Sequence, residues 1–164
     1  MTLIPFSQLP DKSQLWIFGI ERSLTEVEER NFVNNLDDFL ETWAAHGEEM
    51  VCGREVTSSR FLFVAVDLTS VPPSGCSIDG LVHFLKKQEL GLDLKIIDNS
   101  PVWYRSEEGI ERVSRGEFRE LVLDGIVTET STVFDTGISR LSELRKGQWE
   151  KCARDSWHKT FFRK

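Results

Sequence analysis

The chain has 164 residues, 40% of them hydrophobic and 29% charged, a globular balance that excludes a disordered or fibrous polymer. Its formal net charge is -7 with a pI near 5.1, which argues against nucleic acid as a generic partner, because phosphate binding needs clustered Lys and Arg. Cys52, Cys76 and Cys152 are odd in number, widely spaced and without a C-x-x-C pair, so reduced thiols in a cytoplasm are expected rather than a disulfide framework.

The opening "MTLIPFSQLPDK" has neither the basic leader nor the unbroken apolar stretch of a signal peptide. The longest apolar run, "FLFVAV", is too short to span a bilayer, so no membrane partner is expected. "LWIFGIE", Leu15 to Glu21, is aromatic and β-branched and predicts a first strand. Two overlapping capping-box patterns follow, Ser23 to Glu26 and Thr25 to Glu28. Phe32, Leu36, Phe39, Leu40 and Trp43 recur at helical spacing, with His46 expected in the last turn and Gly47 as a left-handed cap. "EEMVCGREVTSS" predicts a weaker, partly exposed strand, and Ser58-Ser59 a tight turn into "RFLFVAVDLT". Phe61 to Val66 is apolar on both faces, which suits a central strand covered from both sides.

A Pro-rich turn then leads into "GCSIDGLVHFLKKQELG", where Ile78, Leu81, Val82 and Leu85 form an apolar stripe and Gly91 a stop. "LDLKIID" predicts a strand, and "SPVWYRSEEGIERVS" a hairpin turning at Glu108-Gly109. "RGEFRELVLDGIV" predicts a short amphipathic helix closed by Gly125, followed by a strand at "STVFD" and a short terminal helix. The order strand, helix, strand, strand, helix, strand predicts an α+β, ferredoxin-like βαββαβ core. One domain is expected, with an antiparallel core over about 13–105, both helices on one sheet face, and a C-terminal helix and strand extension over about 106–164 that covers the other face.

The Gly75-Cys76-Ser77-Ile78-Asp79-Gly80 cluster admits four readings. As plain structure, Ser77 caps a helix and Asp79 meets the positive end of its dipole. As a nucleophile, Cys76 would need a basic partner, yet its neighbour is the acid Asp79, and His46, His83 and His158 are remote in sequence. As a serine elbow, the cluster misses G-x-S-x-G because its last glycine comes one residue late. As a pocket, Gly75, Ser77 and Asp79 would hold a small polar ligand at the helix start.

Other chemistry is sparse. There is no Gly-Lys dipeptide, hence no phosphate-cradling G-x-x-x-x-G-K-[ST] loop and no support for ATPase activity. Cys152 and His158 lack zinc spacing, and neither a metal nor a cofactor is expected. Trp103 and Tyr104 could form a ligand platform, although aromatic residues in a hairpin usually pack across strands. Charge is uneven. Residues 145–164 carry seven Lys or Arg against Glu150 and Asp155, whereas residues 21–49 carry nine acids against Arg22 and Arg30. Those stretches are either solvated faces or, for the basic tail with Trp149 and Trp157, a surface kept for a partner.

The stretches "IPFSQLP", "WAAHG", "SGCSIDGLVHFL" and "ARDSW" resemble a family of small bacterial proteins that commonly carry the label "ABC transporter ATPase". The resemblance runs over almost the whole chain and is most specific at Gly75 to Asp79 and at Asp155-Ser156-Trp157. It implies that Cys76, Ser77, Asp79 and Asp155 belong together as candidates, while the label itself conflicts with the missing phosphate loop. "SRGEFRELVLDGIVTETSTVFD" also resembles the helix-turn-strand portion of small GYF-like adaptor modules. The expected function is a non-enzymatic binding or interaction protein of the cytoplasm, with a protein partner, a homodimer through a sheet edge, or a small polar ligand. The alternative is a small hydrolase- or transferase-type enzyme using Cys76 or Ser77 with Asp79 and a histidine.

Overall fold

Apolar side chains on both faces of Phe61–Val66 leave that segment only one place, the middle of a sheet. The computed structural model, which describes residues 2–164, shows all six of its residues buried. This strand, β5, is flanked by β1 (Gln14–Gly19) and β4 (Cys52–Thr57) in the order β1-β5-β4, with both pairings antiparallel. Thr57 pairs with Phe61, so the β4–β5 turn spans 58–60; Ser58 and Ser59 are left-handed, with φ of 55° and 51°, and the Arg60 N–H donates to the Thr57 carbonyl at 3.1 Å.

One sheet face carries Leu62, Val64 and Val66. Against it pack Phe32, Leu36 and Leu40 of α1 (Glu26–Glu41) and Leu81 and Leu85 of α2 (Gly75–Leu92), so both helices lie on the same side. Each such side chain removed from water contributes about 1.5–3 kcal/mol. On the other face, Phe6 stacks on Phe63 at 6.2 Å, while at the β4 edge of the sheet Leu3 pairs in parallel with Cys52. Gly53 has no room for a Cβ, which would lie 2.9 Å from the Ile4 carbonyl oxygen. Within this unit, N-terminal residues thus supply cover on the face that the sequence pattern assigned to the C-terminal segment.

Helix α1 starts where the second capping box predicts. The Glu28 N–H donates to Thr25 Oγ1 at 3.2 Å, and the Thr25 N–H donates to the Glu28 carboxylate at 2.9 Å. Its end differs from the expectation. The helix stops at Glu41, and Ala44–Ala45 (β2) pairs with Glu48–Glu49 (β3), so that His46 (φ 54°) and Gly47 (φ 80°) form a left-handed two-residue turn. Gly47 is left-handed as predicted, but it closes a hairpin.

The larger correction concerns 92–98, expected as the fourth strand of a ferredoxin-like βαββαβ sheet. No strand forms there, and that topology is not confirmed. Asp93 closes α2 in the left-handed conformation, and the Glu89 carboxylate accepts the N–H groups of Ile96 and Ile97 at 2.6 and 2.8 Å. Backbone donors that a strand would need are satisfied locally. The edge of β1 is met by a later segment instead: the Leu15 N–H donates to the Ser139 carbonyl, and Gln14 bridges Arg140 antiparallel.

Residues up to Ile97 together with Ser139–Ser142 form one compact unit; Asp98–Ile138 and Glu143–Lys164 form a second. The 102–113 hairpin, split by the boundary expected near 105, therefore lies wholly in the second unit. Its antiparallel sheet has the order β7-β6-β8-β9, with β6 at Val102–Ser106, β7 at Gly109–Val113, β8 at Thr132–Phe134 and β9 at Glu150–Cys152. Ser106 pairs with Gly109, so the hairpin turns at Glu107-Glu108, one residue earlier than predicted. Helix α3 (Arg115–Leu123) is capped by Ser114 and ends before Gly125, whose φ of 71° needs a glycine. A short helix, α4 (Leu141–Arg145), precedes β9, and the terminal helix is 3-10 in character over Trp157–Phe162. Val102, Tyr104, Phe118, Val127, Val133 and Ala153 form the core of the second unit, packed against Phe161 and Phe162. Among the described residues no helix is long and apolar enough to cross a membrane.

Candidate functional site

The Gly75–Asp79 cluster starts a helix, though by a different residue from the one expected. Ser74 is the cap, and Ser77 is the third helical residue. The Ser77 N–H donates to Ser74 Oγ at 3.1 Å; the Ser74 N–H donates to Ser77 Oγ at 2.8 Å; the Ser77 hydroxyl donates to the Ser74 carbonyl at 2.8 Å. The Ser77 carbonyl in turn accepts from the buried Trp43 indole at 2.8 Å. Ser77 is buried, with its hydroxyl used as both donor and acceptor, so it offers nothing to a ligand or a substrate.

Cys76 and Asp79 are exposed neighbours one turn apart on α2, as is Gly75 at its start. Asp79 stands fifth in the helix, beyond the first turn where the dipole acts. The next base along the helix from Cys76, His83, lies about 10 Å up the axis, too far to take its proton directly. His46 sits exposed on the β2–β3 turn. The remaining two members of the expected set, Asp155 and His158, belong to the second unit.

There, Asp155 is exposed in the 3-10 turn Ala153–Asp155, and His158 is wholly buried. The Ser156 hydroxyl and His158 Nδ1 are 2.7 Å apart; Nε2 has no partner among the described residues. The imidazole stacks on Trp157 at 4.1 Å and meets the edge of Phe118 at 5.8 Å. Burial, reinforced by the cations of Lys151 and Arg115, pushes its pKa down to about 4. A neutral, enclosed imidazole of this kind cannot trade protons with solvent at neutral pH.

The second unit also holds a groove of about 780 Å³ that spacing did not reveal. Tyr104 on β6 forms its floor, opposite Glu111 on β7 and beside Val133 on β8. Ile126 and Val127 make an apolar wall, Ser131 and Thr132 a polar one, and Glu107 and Glu108 stand at the hairpin tip. Of the two aromatic residues flagged in this hairpin, Trp103 is buried and only Tyr104 lines the groove. The Tyr104 ring is nine-tenths buried against Phe118, yet its hydroxyl has no hydrogen-bond partner among the described residues. Burial, helped by the Glu111 carboxylate, raises the pKa of the phenol, so it stays a donor. Arg105, the one cation in the lining, is engaged by Glu150 at 2.7 Å. Ile126 in that wall and Leu123 beyond it are exposed by 66% and 79%. The sequence signal was the "LVLDGI" stretch at the end of α3, which places the large apolar residues Leu123 and Ile126 on either side of a helix-stopping Asp-Gly step.

Among the described residues no group of His, Cys, Asp and Glu could hold a metal ion. No protein-family model, no curated protein and no solved structure matches the chain.

Proposed function

We propose that this protein acts by binding, as a non-enzymatic interaction protein of the bacterial cytoplasm, and that the Tyr104 groove takes an apolar segment of a partner protein flanked by Lys or Arg. One observation carries the reading: a tyrosine whose ring is nine-tenths buried and whose hydroxyl has no partner among the described residues, on the floor of a groove whose wall is apolar and whose rim is acidic. Apolar contact with Ile126 and Val127 would supply affinity, the phenol a directed hydrogen bond, and Glu107, Glu108 and Glu111 the preference for basic flanks. The likeness of this stretch to adaptor modules points the same way. Support for a cytoplasmic place comes from three free thiols, one of them exposed. Catalysis through Cys76 or Ser77 is the weaker reading, since the serine is locked in a capping box and the thiol has an acid for a neighbour.

The test is peptide-library selection on the intact protein, followed by mapping of amide shifts. Selected peptides with an apolar centre and basic flanks should shift residues 104–111 and 126–132, and Tyr104→Phe should weaken them about tenfold by removing one buried hydrogen bond. Peptides that shift other residues, or any turnover abolished by Cys76→Ala, would overturn the proposal.

A further inference from the structure

The basic bias of residues 145–164 takes a definite form on a second surface of the same unit. Arg115 and Arg119 stand one turn apart on α3, and Trp157 and Phe161 one step apart on the Trp157–Phe162 segment. The Arg115 guanidinium lies over the Trp157 ring, 5.3 Å from its centroid, and that of Arg119 over Phe161 at 5.9 Å. The two rings are themselves 5.8 Å apart. Cations and aromatic rings therefore interleave along one exposed face.

A cation–π contact uses the flat face of a guanidinium and leaves its in-plane N–H groups available for an oxyanion. Arg22, Arg30, Arg54, Arg105 and Arg112 are each paired with a carboxylate. Arg115 and Arg119 are exposed and have no such partner among the described residues. Of the two acids nearest in sequence, Glu117 is committed to the Ser114 cap, and Glu120, which follows Arg119, makes no ion pair among the described residues. Exposed Lys159, Arg163 and Lys164 extend the positive field along the chain end.

We infer that this cation–aromatic face docks an acidic polypeptide segment of a partner protein, whose carboxylates are received by Arg115 and Arg119. Two rigidly seated forks one helical turn apart suit carboxylates on alternate residues of an extended strand or one turn apart on a helix. Single-stranded nucleic acid fits less well, because it binds by stacking bases on open rings. Trp157 has His158 stacked upon it and a guanidinium over it, which leaves mainly its edge, 37% exposed, for apolar contact. This surface shares no residue with the lining of the Tyr104 groove, and the inference does not depend on that groove.

The experiment titrates the intact protein with fluorescent polyglutamate and, separately, with oligothymidylate, at low and moderate salt. Polyglutamate should bind more tightly than oligothymidylate, weaken as salt rises, and lose at least about tenfold in affinity for Arg115→Gln/Arg119→Gln. The charge-conserving Arg115→Lys/Arg119→Lys protein should recover only part of that loss, and Tyr104→Phe should bind as the wild type does. Full recovery with lysine would reduce the effect to net charge and overturn the inference. So would tighter oligothymidylate binding, arginine-independent binding, or sedimentation showing the face occupied by a second copy of the chain. Near-UV circular dichroism confirms that each variant keeps its aromatic packing.

Discussion

Replacement of His158 by Phe isolates the energetic weight of the one imidazole sealed inside the second unit. In the folded chain its pKa is pushed down to about 4 from an ordinary 6.5 by burial and by the Lys151 and Arg115 cations, so the unfolded chain binds the proton first. Stability therefore falls as pH drops through the window between the two values and is unaffected above it. Between pH 7 and pH 5 this one group should remove about 2 kcal/mol, from 1.36 kcal/mol per pH unit over the part of the window that is crossed. Urea unfolding at the two pH values measures it. The absolute stability of His158→Phe is not the readout, because the change also leaves the buried Ser156 hydroxyl without its 2.7 Å partner. What matters is the difference in pH dependence: the wild type should lose about 2 kcal/mol more than the variant. Equal losses, or a His158 ring resonance that titrates near 6.5, would refute the reasoning.

Three further outcomes follow from local geometry. Ser74→Ala, which removes the cap of α2, should cost about 1 kcal/mol in urea unfolding, and the double change with Ser77→Ala should cost less than the two single losses combined, since both residues serve one box. Gly53→Ala should cost about 1–3 kcal/mol, because its new carbon would press on the Ile4 carbonyl at 2.9 Å and on Leu9 at 3.0 Å; an unchanged urea midpoint would mean that the N-terminal segment lifts freely. Iodoacetamide and mass spectrometry should find Cys76 labelled in the native protein and Cys52 protected until unfolding, since Cys52 is buried and its thiol pKa is pushed up to about 12. Native labelling of Cys52 would show that the sheet opens locally.

How far the fold could be read from the chain depended on how local each signal was. Thr25 to Glu28 announced the start of α1 because a capping box needs only its own four residues, and Phe61 to Val66 announced a central strand because both faces were apolar. Ser58-Ser59 was legible as a hairpin turn from its length alone, although the loop also takes in Arg60. The fourth strand failed because "LDLKIID" alternates convincingly, whereas the Glu89 carboxylate that claims its amides comes from the preceding helix. Ser74 was overlooked in favour of Ser77 for a similar reason, as both serines belong to one reciprocal box and spacing alone does not say which comes first. In the candidate site, Tyr104 was legible as an aromatic residue on a hairpin. Its unpartnered hydroxyl was not, because that depends on where residues 126–132 pass. The pairing of Arg115 with Trp157 was equally hidden, being set by the meeting of segments forty residues apart.

The bond from the Leu15 amide to the Ser139 carbonyl has a meaning for biosynthesis. Everything from Asp98 to Ile138 is an insertion between the body of the first unit and the short piece that finishes it. A ribosome that has released only the residues through Ile97 therefore presents Gln14–Gly19 with one side bare, a template for strand exchange with a neighbouring nascent chain. At Gln14 and Leu15 the hazard ends only when Ser139 and Arg140 emerge and pair there.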